Sequence, residues 1–308
     1  MHAVGSTPWV LDLACTHATA LGMNTTAARV LHHYNNAVVL LPAENTVIRL
    51  ASTEAVDRIA ASQDVCRWLS SQHEYPATIP APGATVALLA DSMTASLWTY
   101  HPPPRSPLTT TSADLAKLLH TLHSLPVPPA ALRPWEPLSS LHAILAGPDA
   151  HAVMTGPEIE AVQAILADIH DRLATHDWPL GHGLIHGDAW QGNLLHDNSS
   201  STPQLRLGDW DNVAIGPREV DLIPTWHASY RYGKGQHWRD EFQRAYGYDL
   251  QESPRFADLM AMRDLAQLGG PIRRAAHNPR YAAALRQRLG DILGGQHHTT
   301  WTALTGSA

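Results

Sequence analysis

Leu184–Asn193, LIHGDAWQGN, and Leu207–Asp211, LGDWD, decide how the rest of this chain is read. Asp188 and Asn193 stand five residues apart, and Asp209 follows Asp188 by 21. Carboxylate, amide and carboxylate in this order suit phosphoryl transfer. One carboxylate positions an attacking hydroxyl and takes its proton. An Asn side-chain oxygen and a second carboxylate hold Mg²⁺ against nucleotide phosphates. Each residue has a plainer reading alone: Asp188 as the cap of a turn, Asn193 as the start of an ordinary strand. The spacing between them carries the functional reading.

The Asp-x-x-x-x-Asn spacing matches the catalytic loop of protein kinases, with His-Gly-Asp where those enzymes have His-Arg-Asp. Asp209 stands where they carry the Asp of Asp-Phe-Gly. With Gly216–Leu222, GPREVDL, added, the chain resembles the aminoglycoside phosphotransferase family. These small-molecule kinases include antibiotic kinases and resemble choline and homoserine kinases. The resemblance spans Leu184 to about Trp226, is looser upstream and fades downstream. It implies an α+β, bilobal, protein-kinase-like fold. A small β-rich lobe at 1–104 would bind nucleotide. A larger, mainly helical lobe at 105–308 would hold the catalytic loop, the metal site and the acceptor pocket.

The resemblance also implies roles. Asp188 is the catalytic base, Asn193 and Asp209 are the Mg²⁺ ligands, and ATP or GTP is the phosphoryl donor. His186 supports the loop by hydrogen bonding. Asp221 binds backbone amides of the catalytic loop. Asp211 either reaches the metal through water or orients its loop. Arg49, in TVIRL, stands where kinases carry the phosphate-binding Lys of the third strand, although a guanidinium and an ammonium are not equivalent. Its acidic partner is open: Glu54 and Asp64 are candidates, and the helix position that best fits the pattern is Ser62. Asn36 ends a glycine-free segment, His32–Asn36, placed over the phosphates. Trp98 and Tyr100 lie in Leu97–His101, which would line the adenine side through backbone groups.

Two other chemistries fail on motif grounds. No Gly-x-x-x-x-Gly-Lys-[Ser/Thr] loop is present, so this is not a P-loop enzyme. A metal hydrolase built on His182, His186, Asp188 and Asp209 would lack the Glu of a zinc-protease motif and leave Asn193 without a purpose.

The whole chain sets the frame. Its 308 residues allow a sizeable core, and 44% hydrophobic with 16% charged residues describes a globular protein. Cys15 and Cys66 form no disulfide framework. No basic-then-apolar leader and no long apolar run appear, so a cytoplasmic protein without membrane association is expected. A net charge of −7 argues against nucleic acid as a partner. Residues 1–180 hold 15 acidic and 8 basic side chains, and residues 181–308 hold 13 of each. The negative excess therefore lies outside the part that carries the motif.

Along the chain, residues 9–21 have helical spacing. Ala37–Leu41 and Thr46–Leu50 read as a hairpin around Pro42 and Asn45. Thr53–Ser70 reads as a helix capped by Thr53, and Thr85–Ala90 and Thr94–Tyr100 as two more strands. The stiff His101–Arg105 segment is the expected hinge. Helices are expected at Ser112–Leu125 and Gly156–His176. A polar turn at 196–203 would join two strands, and the pattern after Asp221 is helical to the end.

Only eleven residues separate Asp209 from Asp221, too few for the peptide platform of a protein kinase. A small hydroxylated acceptor follows. Its pocket is expected among the aromatics after Leu222, from Trp226, Tyr230 and Trp238, although these residues also suit a core. Residues 226–268 hold six acidic and six basic side chains, whereas a polycationic aminoglycoside calls for surplus carboxylates. The balance favours a neutral, ring-bearing acceptor such as a nucleoside-type or glycosylated antibiotic. An aminoglycoside or a small nutrient alcohol is the alternative.

Overall fold

Helix α1 (Thr7–Ala20) buries Val10, Ala14 and Ala18, spaced four apart so that they form one stripe. The stripe packs on Ala37, Val39, Leu41, Ile48, Leu50 and Ala95 of an antiparallel sheet. The structure is a computed structural model describing residues 7–33, 36–90, 92–103, 109–174, 178–198, 204–297 and 299–304. The sheet contains β1 (Arg29–His33), β2 (Ala37–Leu41), β3 (Thr46–Ser52), β4 (Ala87–Leu88) and β5 (Met93–Thr99), in the order β1-β2-β3-β5-β4. Along β3, Ile48 and Leu50 are buried while Val47 and Arg49 alternate onto the less buried face. That period of two aims Arg49 away from the apolar core.

The β2–β3 connection is a 3₁₀ turn, Pro42–Glu44, closed by Asn45 at φ 48°. Asn tolerates this left-handed conformation better than most residues. Helix α2 (Val56–His73) follows a short 3₁₀ turn, Thr53–Ala55. There the Ser52 hydroxyl, not that of Thr53, accepts the Glu54 N–H, at 3.4 Å. His32 and His33 also depart from expectation. They belong to strand β1, paired with Val38 and Ala37, and not to a loop. Tyr34 and Asn35 of that expected loop lie outside the described residues, and Asn36 is half-buried just before β2.

Next come α3 (Ser112–Ser124), α4 (Ser139–Leu145), α5 (Pro148–Val153), α6 (Gly156–Ala174) and β6 (His182–Ile185). Then follow β7 (Leu194–Asp197), β8 (Gln204–Leu207), β9 (Ala214–Pro217), α7 (Glu219–Arg231), α8 (Gly235–Tyr246), α9 (Phe256–Ala266), α10 (Gly269–Arg274) and α11 (Pro279–Leu293). Helices α4 and α5 were not read from the sequence. His176, His298, and residues 199–203 of the expected polar turn lie outside the described residues. The last helix ends at Leu293, so the pattern is not helical to the end. The tail beyond it is held by Trp301, buried under the Arg231 guanidinium 4.3 Å from its ring centre. Its indole N–H donates to Asp291 at 2.7 Å.

Contacts divide the chain into two compact units. The first comprises residues 1–109, 125–132 and 192–213; the second comprises 110–124, 133–191 and 214–308. The β7–β8 hairpin, with Asn193 before it and Asp209 after it, therefore groups with the N-terminal sheet. The strand pair β6–β9 and the helices from α3 onward form the second unit, which carries Asp188. Of the expected hinge His101–Arg105, Pro104 and Arg105 lie outside the described residues. Among the described residues no helix is long and apolar enough to cross a membrane.

Candidate active site

In the second unit, strand β6 ends at Ile185 and the chain turns through His186, Gly187 and Asp188. Gly187 has φ 80°, a conformation that glycine adopts without strain and a β-carbon disfavours. The fully buried Asp221 carboxylate accepts the His186 N–H at 2.7 Å on one oxygen and the Gly187 N–H at 2.8 Å on the other. Two backbone donors and a carboxylate fix the turn that presents Asp188. Burial first, and then the charge of Asp221, hold the Tyr246 hydroxyl above its ordinary range. It donates to His123 Nδ1 at 2.7 Å, and Nε2–H of His123 donates to Asp221 at 3.0 Å. The His186 ring is buried, and its Nδ1 accepts the Asp188 N–H at 3.3 Å.

The GPREVDL segment supplies more of this frame. Arg218 donates through Nε to the His123 carbonyl at 3.0 Å and through Nη1 to the Leu180 carbonyl at 2.5 Å. Glu219 accepts the Leu180 N–H at 2.9 Å, and burial raises its pKa. The Arg218 guanidinium lies over Gly183: a β-carbon there would sit 2.7 Å from Nη2, so a larger residue would displace it.

Asp188 is part-exposed, and Arg263 of α9 donates to its Oδ1 at 2.8 Å. No motif announces this contact, since Arg263 lies 75 residues downstream in the region where the resemblance has faded. His123 likewise escaped sequence reasoning; only a His on a buried helix face hinted at it.

In the first unit, Leu194 pairs with Leu207, and the Gly208 N–H donates to the Asn193 carbonyl at 2.9 Å. Asn193 and Asp209 therefore flank the same end of the β7–β8 hairpin. Asp209 has φ 60° and ψ 57°, left-handed values in which Asp is among the better tolerated residues. Asn193 is 8% exposed, while the Asp209 side chain is 51% exposed. Two oxygen donors at one end of a hairpin fit a hard cation such as Mg²⁺, which completes its shell with water and phosphate. Among the described residues no cluster of three His, Cys, Asp or Glu side chains forms an all-protein cage. Arg49 donates to both oxygens of Asp211, at 2.7 and 2.5 Å, and its Nη2 lies 3.3 Å from Asp209 Oδ1. Asp64 instead pairs with Arg67, and Glu54 is exposed.

The expected adenine-side groups are largely engaged within the protein. The Tyr100 N–H donates to the Asn45 carbonyl at 2.9 Å and the Thr99 N–H to the Ile79 carbonyl at 2.8 Å. The Trp98 side chain is buried and donates to the Ser96 hydroxyl at 3.0 Å.

Of the three aromatics expected in an acceptor pocket, Trp226 is fully buried and packs edge-on against Phe242, with ring centres 5.5 Å apart. A side chain with no exposed surface is a core residue and makes no acceptor contact. Tyr230 and Trp238 are half-buried, and each has a cation over its ring. The Arg239 guanidinium lies 4.7 Å from the Tyr230 ring centre, and the Lys234 ammonium 4.7 Å from that of Trp238.

The fold and these groups have counterparts among known proteins. An amicoumacin kinase solved with AMP-PNP and Ca²⁺ is 14% identical, with a TM-score of 0.70, covering 96% of this chain and 97% of its own. A microcompartment-associated aminopropanol kinase is 17% identical at a TM-score of 0.65, covering 91% and 95%. An APH(2″) enzyme solved with GDP and kanamycin is 14% identical at a TM-score of 0.61, covering 93% and 99%. No curated protein sequence matches the chain. At these identities the structural likeness establishes the bilobal kinase-like fold. The model of the phosphotransferase enzyme family (APH) matches residues 26–259. With most of its length matched in this way, the chain belongs to the APH phosphotransferase enzyme family.

Proposed function

We propose that this protein transfers the γ-phosphoryl group of ATP or GTP to a hydroxyl of a small molecule, with Mg²⁺ as cofactor. The observation that carries this reading is the Asp221 lock on the His186–Gly187 turn, which fixes the backbone from which Asp188 projects. Asp188 accepts a hydrogen bond from the acceptor hydroxyl and takes its proton as the hydroxyl oxygen bonds to the γ-phosphorus. The bond from that phosphorus to the β-γ bridging oxygen breaks, and the nucleoside diphosphate leaves. Asn193 and Asp209 are the oxygen donors that would hold Mg²⁺, which when bound neutralises charge on the phosphates. Arg49 contacts the phosphates. Such a reaction suits the cytoplasm, where nucleotide and Mg²⁺ are available.

The acceptor reading follows from Arg263. Arg263, 2.8 Å from the base, offsets the Asp188 charge, so an ammonium beside the reacting hydroxyl would find a compensated carboxylate and a like charge next to it. Two unit charges about 4 Å apart interact by about 1 kcal/mol in water and about 4 kcal/mol near a protein surface. At one order of magnitude per about 1.4 kcal/mol, that spans a preference of about fivefold to nearly a thousandfold. We therefore favour an acceptor that is neutral near the transferred hydroxyl, such as a nucleoside-type or glycosylated antibiotic. Its modification would give resistance or self-resistance.

The test is nucleotide turnover against neutral and polycationic hydroxylated antibiotics at low and high salt. The favoured acceptor should show a KM that salt barely moves, because screening acts on charge pairs. Arg263→Gln should improve use of cationic acceptors relative to neutral ones. Tight, salt-sensitive use of kanamycin by the wild type would overturn the neutral reading and restore an aminoglycoside.

A further inference from the structure

Arg49 has a carboxylate partner that the kinase pattern does not provide. In protein kinases the phosphate-binding Lys of the third strand pairs with a Glu on the following helix. Here the matching helix is α2, and the position that best fits that Glu is Ser62. Ser62 is fully buried, and its hydroxyl has no hydrogen-bond partner among the described residues. The negative charge comes from elsewhere. The 3₁₀ turn Trp210–Asn212 packs against α2 and carries Asp211, whose two oxygens receive both ends of the Arg49 guanidinium.

Three observations fix this arrangement. Trp210 anchors the turn: its ring is buried edge-on to Tyr75, and its indole N–H donates to the Leu207 carbonyl at 2.7 Å. Cys66 lies four residues after Ser62 and so on the same face of α2. Burial raises its thiol pKa against the Thr78 hydrogen bond and the Arg67 charge, which lower it, and the Asp211 charge adds to the rise, in keeping with the packing of the turn on this helix. Both partners of the ion pair are largely withdrawn from solvent, with 15% of the Arg49 side chain and 12% of that of Asp211 exposed. A forked pair so placed is both stronger and more directional than an exposed one.

We infer that Asp211 is the positioning residue for Arg49, replacing the helix carboxylate of the kinase pattern from the turn that follows Asp209. This rests on the phosphotransferase reading and goes beyond it. The arm that contacts phosphate and the loop that carries the proposed metal ligand are then one linked unit. Asp211 acts on the nucleotide through Arg49, and not as a metal ligand.

The test is a double-mutant cycle in the full chain with Arg49→Gln, Asp211→Asn and the pair. Calorimetry with AMP-PNP and GMP-PNP in excess Mg²⁺ reads nucleotide affinity, and adenosine and guanosine serve as phosphate-free probes. Asp211→Asn should weaken the nucleotide that the wild type binds by about tenfold, the scale of one charged hydrogen-bonded pair. It should leave the matching nucleoside unaffected. In the Arg49→Gln background its further effect should be at most about twofold, as for two residues acting through one interaction. Independent, multiplying losses would overturn the inference and return Asp211 to the metal. An equal loss of nucleoside affinity would also overturn it, since that marks general damage. A wild type that binds neither nucleotide would instead overturn the phosphotransferase reading.

Discussion

Asp188→Asn is expected to cut phosphoryl transfer by roughly 10²–10⁴, the range for losing a positioned acid or base. Mg²⁺-nucleotide affinity should stay close to that of the wild type, because Asp188 is assigned to the acceptor hydroxyl and not to the phosphates. The substitution is nearly isosteric. The Asn side chain can still accept the hydrogen bond from Arg263, which reaches Oδ1 at 2.8 Å in the wild type. It cannot take a proton at neutral pH. The loss should therefore appear in kcat more than in KM, as befits a contact made in the transition state. Steady-state kinetics beside calorimetry separates the two. Near-normal turnover would remove Asp188 as the base.

Asp221→Ala should act on stability first. The Asp221 carboxylate is fully buried and receives two backbone N–H groups and one His ring. Truncation leaves all three donors unpaired, the His186 N–H and the His123 ring out of water and the Gly187 N–H part-buried, each buried one at a cost of about 1–3 kcal/mol. Allowing for relaxation, a net loss of about 3–5 kcal/mol is expected, the range for breaking a buried ionic contact. Denaturant melts measure it. Activity should fall as well, since the freed turn no longer holds Asp188. A variant as stable as the wild type would mean that the lock contributes little.

Much of this was legible because the decisive residues are local. HGDAWQGN, GDWD and GPREVDL each lie within a few residues of sequence, and Gly187 and Asp209 satisfy backbone demands that the motif encodes. The β2–β3 hairpin was readable from β-branched runs around Pro42 and Asn45, and α1 from its apolar spacing. What sequence missed is long-range. Arg263 reaches Asp188 across 75 residues, and Arg49 reaches Asp211 across 162, with no periodicity to announce either contact. Strand β1 was missed because its burial does not alternate cleanly: only Val30 and His33 are part-buried and the other three residues are exposed. Trp226 was misplaced because a buried aromatic and a pocket aromatic carry the same letter. The grouping of the β7–β8 hairpin with the N-terminal sheet was also invisible, since spatial units need not be continuous in sequence.

The most direct test of the central claim is to follow the phosphoryl group itself. Wild-type protein would be incubated with Mg²⁺, ATP or GTP and a panel of hydroxylated small molecules, with products read by ³¹P NMR and mass spectrometry. The account predicts a phosphomonoester on one acceptor, formed in step with nucleoside diphosphate, dependent on Mg²⁺ and lost in Asp188→Asn. A wild type that binds Mg²⁺-nucleotide yet neither transfers its γ-phosphoryl group to any hydroxyl nor hydrolyses it would contradict the account and make this chain a binding protein.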